Sequence, residues 1–202
     1  MIAIIDYGVG NLFSLISSFK AIGQDAVVTG DPQVIRSAEK LVLPGVGAFG
    51  DASKKLLDSG LDKVVKEQVA LGKPLLGVCL GMQMLFEESY EYGKHQGLGL
   101  LKGKVVPFDL PKEYKIPHIG WNALHFVKQS PFLKYINPQD CVYFVHSFHA
   151  VDCEDSLIAT TEYGQEVTAL VGCGNVYGAQ FHPEKSGDVG LKILKGFCEL
   201  GK

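Results

Sequence analysis

The chain has 202 residues, 47% of them hydrophobic, enough to bury one sizeable core and close to the usual upper limit for a single α/β domain spanning 1–202. Its 22 acidic and 19 basic side chains leave a formal charge of -3, which gives no net pull toward phosphate backbones or anionic lipid and argues against nucleic-acid and membrane partners. The five cysteines are odd in number, spread out and without a CxxC pair, so they favour neither a disulfide framework nor a zinc knuckle and fit a reducing cytoplasm.

Met1 to Ile5 have no basic leader, and their apolar run stops at Asp6, so they read as a buried first strand and not as a secretion signal. Ala26 to Thr29, Leu41 to Leu43 and Leu75 to Val78 repeat the short strand pattern, each followed by a helical one. Asn11 can cap a helix that carries Leu12, Leu15, Ile16 and Phe19 on one face and stops at Gly23. Asp51 can cap another containing Leu56 and Leu57, and 64–71 also reads as helix. This alternation predicts an α/β fold of flavodoxin-like type, a mixed, largely parallel sheet with helices on both faces. Beyond about residue 100 the pattern turns strand-rich through 100–108, 118–127, 141–151, 156–163, 166–174 and 175–181, and a last helix over 189–200 sets Leu191, Leu194 and Phe197 at helical spacing. No stretch approaches the roughly 18 apolar residues of a membrane span.

After the third strand, PGVGAFG spells GxGxxG with Gly45, Gly47 and Gly50. A dinucleotide site is one reading. The motif sits on the third strand unit, follows Pro44, and has no acidic strand end about 20 residues on, all of which count against it. The other reading is a loop whose backbone N–H groups, those of Val46 and Gly47 first, approach a developing oxyanion.

The next motif names the centre that oxyanion would serve. In LLGVCLGMQMLF, Cys79 follows a buried strand and precedes a helix, with Gly77 and Gly81 two residues to either side. This is a thiol nucleophile elbow: the turn is tight, side chains at the glycine positions would collide with strand and helix, and the helix dipole favours a thiolate. The Leu80 N–H is then a second oxyanion donor. Alone, GxCxG also describes a core cysteine between packing glycines. Near the other end, NVYGAQFHPEKS runs from a strand into His182, Pro183 and Glu184. A base needs a group to orient its imidazole, and a carboxylate two residues on can do so when proline stiffens the backbone between them. Alone, HPE reads more readily as an ordinary turn with a surface histidine. Jointly, the two motifs would meet above one edge of the sheet at the carboxyl ends of its strands, where ligands of open α/β sheets bind.

Cys141, His146, His149 and Cys153 raise the alternative of a metal centre. Strand alternation puts Cys141 and His149 on one face and His146 on the other, against tetrahedral convergence.

PGVGAFG, GVCLGMQ and HPEKS, in that order, resemble the class I, triad-type glutamine amidotransferases. DYGVGNL, GMQMLFEES, PHIGWN at 117–122, YFVHSFHA at 143–150 and the lysine of HPEKS narrow the resemblance to the branch formed by glutaminase subunits of imidazole glycerol phosphate synthase, and the match spans essentially the whole chain. The resemblance implies that Cys79 attacks L-glutamine to form a thioester, with His182 and Glu184 completing the triad. It further implies no cofactor or metal, and passage of ammonia to a (β/α)8-barrel cyclase subunit in a heterodimer of histidine biosynthesis. Glutamine-holding positions carry over as Gly47, Leu80, Gln83, Glu91, His146, Ser147 and Phe148, the last standing where relatives often have tyrosine. Asn11, Trp121 and Lys185 carry over to the partner surface and ammonia gate. Rival readings are a glutaminase serving another synthase such as a sugar-modifying enzyme, a different triad hydrolase, a nucleotide-binding module, and a binding module that has lost its chemistry.

Overall fold

The computed structural model describes residues 1–200. In chain order the regular elements are β1 (Ile2–Ile5), α1 (Leu12–Ala21), β2 (Ala26–Thr29), α2 (Pro32–Ser37), β3 (Lys40–Leu43), α3 (Phe49–Asp58), α4 (Leu61–Ala70), β4 (Leu75–Val78) and α5 (Leu80–Gln83). There follow β5 (Glu88–Ser89), β6 (His95–Gln96), β7 (Lys104–Pro107), β8 (His118–Ala123), β9 (His125–Phe126), β10 (Cys141–His146), β11 (Phe148–Val151), β12 (Leu157–Glu162), β13 (Glu166–Cys173), β14 (Val176–Ala179) and α6 (Gly187–Glu199).

Eight strands form the main sheet in the order β2-β1-β3-β4-β14-β13-β12-β9. The run from β2 to β14 is parallel, and β13, β12 and β9 extend it antiparallel. Because successive side chains on a strand point to opposite faces, the apolar runs feed two cores. Ala3, Ile5, Leu41, Leu43 and Leu75 pack with Ile35, Phe49, Leu56 and Val65 of α2, α3 and α4 on one side. Ile2, Ile4, Val42, Leu76 and Val78 pack with Leu15 and Phe19 of α1 and Ile193, Leu194 and Phe197 of α6 on the other. The doubly wound, flavodoxin-like expectation is met.

Local departures each have a physical cause. Asn11 does sit at the N-cap of α1, but its side chain makes no cap bond and reaches Glu184 instead, Nδ2 donating to Oε1 at 3.4 Å. The helix expected to start at Asp51 starts at Phe49, which leaves Asp51 in the first turn, where its charge suits the helix dipole. Leu56 and Leu57 fall on different sides of that helix, one buried and the other exposed. The run 141–151 is two strands, not one: β10 pairs with β8 in a separate ribbon, and β11 pairs with β7 in a small sheet of order β11-β7-β5-β6. With the alternation broken at Ser147, His146 and His149 do not lie on opposite faces. Both are buried against the ring of Phe108, at centroid distances of 5.1 and 4.8 Å, while Cys141 is exposed. Among the described residues no group of three or more His, Cys, Asp or Glu is arranged to hold a metal.

The glycines around Cys79 are required by packing. A Cβ on Gly77 would lie 2.7 Å from the Gly81 carbonyl oxygen, and one on Gly81 would overlap the Leu43 carbonyl of the neighbouring strand. Backbone cannot yield as a side-chain tip can. Gly81→Ala is therefore expected to destabilise the fold by about 3 kcal/mol, lowering Tm by roughly 6–12 °C, as read by thermal unfolding; an unchanged Tm would contradict this packing.

Candidate active site

Three loops leave the carboxyl ends of neighbouring parallel strands and converge: Pro44 to Ala48 after β3, Cys79 after β4, and Gln180 to Glu184 after β14. β4 and β14 are hydrogen-bonded neighbours in the middle of the sheet, so the thiol and imidazole meet above its interior at the carboxyl edge, not above an outer strand. The ladder continues one step beyond β4, the Cys79 amide donating to Ala179 O at 2.7 Å, which sets the position of the elbow. Cys79 itself has φ 54° and ψ -113°, a conformation that costs a non-glycine residue about 1–3 kcal/mol. Only one helical turn, α5, follows it, so the helix dipole acting on the sulfur is that of a short helix.

His182 Nδ1 is 2.8 Å from Glu184 Oε1, and the two side chains are 3% and 1% exposed. That contact leaves the other ring nitrogen for Cys79, to which His182 is also hydrogen-bonded. Burial is the largest single influence on His182 and pulls its pKa down. The hydrogen bonds to Cys79 and Glu184, with the charges of both, more than reverse it and leave the ring pushed up to about 10. Removing the sulfur takes away two upward influences while burial remains. In Cys79→Ala, His182 is thus expected to titrate at lower pH than in the wild type, measurable by NMR of the ring; an unmoved titration would show that the thiol does not face it.

A cavity of about 320 Å3 opens over the sulfur. All seven positions carried over for glutamine, Gly47, Leu80, Gln83, Glu91, His146, Ser147 and Phe148, line it, as do Val46, Cys79, His182 and Lys185. Gly47 has φ 89°, a backbone state that suits glycine, and Val46 is exposed beside it. Glu91 is fixed by a short bond from the Phe49 amide to Oε2, 2.7 Å. Burial raises its pKa, against that bond and the nearby His95. Glu91 lies in the turn of a hairpin formed by β5 and β6, which places it on the cavity wall and leaves Tyr92 exposed, its ring edge against Phe148. Phe148 has no hydroxyl to offer, but its carbonyl accepts from Gln83 Nε2 at 3.0 Å.

Several contributors were not singled out in the sequence. Gln180, fully buried just before His182, accepts from Gln83 Nε2 at 3.0 Å and turns its own Nε2 to the Cys79 sulfur at 3.9 Å. Tyr7 donates to the Pro44 carbonyl at 2.6 Å, and Gly10 leaves room for the Pro44 ring, so the DYGVG segment braces the glycine loop. Ser186 ties the histidine to β10, accepting from the Tyr143 amide at 3.0 Å and donating to the His182 carbonyl at 2.6 Å. Pro117 and Val145 complete the cavity wall. The signals were present, a glutamine at the end of an apolar strand and a serine after HPEK, but neither names its partner.

Of the three positions carried over to the partner face, Lys185 lines the cavity mouth and Asn11 bonds to Glu184. Trp121 is 56% exposed and not in the core, with its ring edge against Tyr143, its cross-strand neighbour. Ile119, two residues before it on the same face, is also exposed.

A thiol, an imidazole bonded to a buried carboxylate, and a glycine loop on one cavity can carry out acyl transfer from an amide. The family model for glutamine amidotransferase class-I matches residues 3–199, and the chain belongs to that family. Its relatives narrow the likeness. It is 53% identical to the imidazole glycerol phosphate synthase subunit HisH of Caldanaerobacter subterraneus, over 100% of this chain and 99% of that one. It is 51% identical to the subunit of the same name from Lactococcus lactis, over 98% of each. Among solved structures, a glutamine amidotransferase superposes with a TM-score of 0.76 at 19% identity, covering 98% of this chain and 100% of that one, a likeness of fold.

Proposed function

We propose that the chain is the glutaminase subunit of an imidazole glycerol phosphate synthase, hydrolysing L-glutamine and passing ammonia to a (β/α)8-barrel cyclase subunit in a cytoplasmic heterodimer. The observation that carries the reading is that Cys79 and His182, the latter bonded to the buried Glu184, face a cavity walled by every position carried over for glutamine. Full-length identity near 50% to HisH subunits supports the choice of acceptor.

In this reading the Cys79 sulfur attacks the side-chain amide carbon of glutamine. The oxyanion is held by the Leu80 amide and by N–H groups of the Val46–Gly47 loop. His182 gives its proton to the amide nitrogen, the C–N bond breaks, and ammonia leaves behind a thioester. Water, deprotonated by His182, then attacks the thioester; glutamate departs and the sulfur is regenerated. Glu184 keeps a proton on Nδ1 so that the other nitrogen serves the sulfur. Glu91 receives the glutamine ammonium. The exposed Ile119 and Trp121 of β8, with Asn11 and Lys185, form the surface toward the cyclase, which uses the ammonia to make imidazole glycerol phosphate and aminoimidazole carboxamide ribotide.

The test is glutamate release from glutamine by the chain alone and with the cyclase subunit and its phosphoribulosyl substrate. Strong stimulation by the loaded cyclase is expected. Release that ignores the cyclase would point to another acceptor, and no release in either mixture would overturn the glutaminase reading.

A further inference from the structure

His118 and His146 lie directly opposite one another across the β8–β10 ribbon, both buried, and their ring nitrogens make a chain that can be counted proton by proton. His146 Nδ1 is 2.8 Å from the Phe148 carbonyl, which only accepts, so Nδ1 carries a hydrogen. At the other end Asn122 Nδ2 donates to the Glu162 carbonyl at 3.0 Å, which turns Asn122 Oδ1 toward His118 Nε2 at 2.8 Å. An amide oxygen also only accepts, so His118 Nε2 carries a hydrogen too. Two neutral rings own one N–H each, and both are now used. Yet His118 Nδ1 and His146 Nε2 lie 3.0 Å apart, which would set lone pair against lone pair. Turning the Asn122 amide over does not remove the conflict, because its oxygen would then face the Glu162 carbonyl.

We infer that the pair holds a third ring proton, with the charge on His118, and that His118 thereby acts as a positioning residue for the cavity wall from His146 to Phe148. The surroundings favour His118 over His146 as the seat of charge. The His118 ring is stacked between Tyr163, 4.0 Å away at 17°, and Phe144, 5.0 Å away at 19°, so both faces meet π-electron density. Tyr163 donates its hydroxyl proton to the Lys115 carbonyl, which enriches its ring. The titratable groups facing the pair are Tyr163 on the His118 side and His149 and His182 toward His146, the latter two disfavouring charge on His146. No carboxylate hydrogen-bonds to either ring among the described residues. Burial acts against the proton, pushing His146 down to about 3 and His118 downward; the third hydrogen bond and the two aromatic faces oppose it.

The consequence reaches the nucleophile. His146, locked as an acceptor at Nε2, keeps Nδ1–H on the Phe148 carbonyl. The same carbonyl holds Gln83, which holds Gln180 beside the Cys79 sulfur. Losing the charge on His118 frees His146 to rotate and loosens the wall.

Ring-nitrogen NMR on the full chain with 15N-histidine tests the proton directly. Expected near neutral pH is one ring, His118, protonated at both nitrogens, and His146 protonated at Nδ1 alone. Both rings singly protonated would overturn the inference. In Asn122→Ala the acceptor that demands the Nε2 proton is gone, so His118 should become neutral; a persistent imidazolium there would overturn the count. The positioning role rests on the glutaminase reading. In the assembled synthase, His118→Phe is expected to raise KM for glutamine about tenfold, with kcat little changed; an unchanged KM would overturn it. The NMR arm needs no glutamine, so it stands even if that reading fails.

Discussion

Cys79→Ala is expected to lower glutamate release by on the order of 10^6-fold while leaving the fold in place. The loss is large because no other group near the carbonyl can form the thioester, and the oxyanion donors and the base then have nothing to act on. The fold survives because the costly feature of the elbow is its backbone. Gly77 and Gly81 admit the tight turn, and the Cys79 amide is held by Ala179, none of which involves sulfur. What is lost is the interaction with His182 and long contacts to the Val145 carbonyl and Gln180, at 3.9 Å each. A stability change within about 1 kcal/mol is expected from removing one buried atom. Glutamate release measured beside a thermal melt checks both halves. Release at the wild-type rate by a folded variant would remove Cys79 from the mechanism.

Glu184→Gln is expected to lower turnover by on the order of 10^4-fold, less than loss of the nucleophile. The carboxylate is 1% exposed, and its Oε1 accepts from His182 Nδ1. Its Oε2 is buried without a protein partner. A glutamine of the same shape has two options, both poor. With its oxygen toward Nδ1–H, its NH2 occupies the place of Oε2 and is a buried donor without an acceptor, at a cost of about 1–3 kcal/mol. With its NH2 toward the ring, Nδ1 must become the acceptor, and the proton moves to the nitrogen that should receive one from Cys79. Either way, two influences that raise His182 are weakened, so its titration should also fall. The ranking is checked by kcat of Glu184→Gln, Cys79→Ala and His182→Ala measured together. A Glu184→Gln loss equal to or greater than the other two would contradict a merely orienting role.

The grouping of Cys79 with His182 and Glu184 was legible because each half is local. GxCxG states its own backbone problem within five residues, and HPE places base and carboxylate two apart with a proline between them. Gln83 and Phe148 were reached through the family resemblance, while the reason they belong together, a bond from one amide to the other's carbonyl across 65 positions, is not a sequence pattern at all. Gln180 shows the limit from the other side. A buried glutamine beside the Cys79 sulfur looks, in the string NVYGAQF, like any polar residue at a strand end. The run 141–151 misled because one alternating pattern was read through Ser147, where the chain passes from the ribbon to the small sheet.

Periodicity and turn chemistry were sufficient for the βα half of the fold, the strained thiol and the histidine–carboxylate pair, because those depend on backbone torsions and on neighbours a few residues away. Sheet order belongs to another scale. That β14 inserts beside β4 and brings His182 to Cys79 follows from which apolar faces can be buried together, a contest among all the strands at once. The same long-range packing decides that Tyr7 braces Pro44, that the β5–β6 hairpin turns Glu91 into the cavity, and that His118 meets His146. Each of these contacts joins segments between 28 and 42 residues apart or fixes a hairpin against them, so it exists only once the cores have closed.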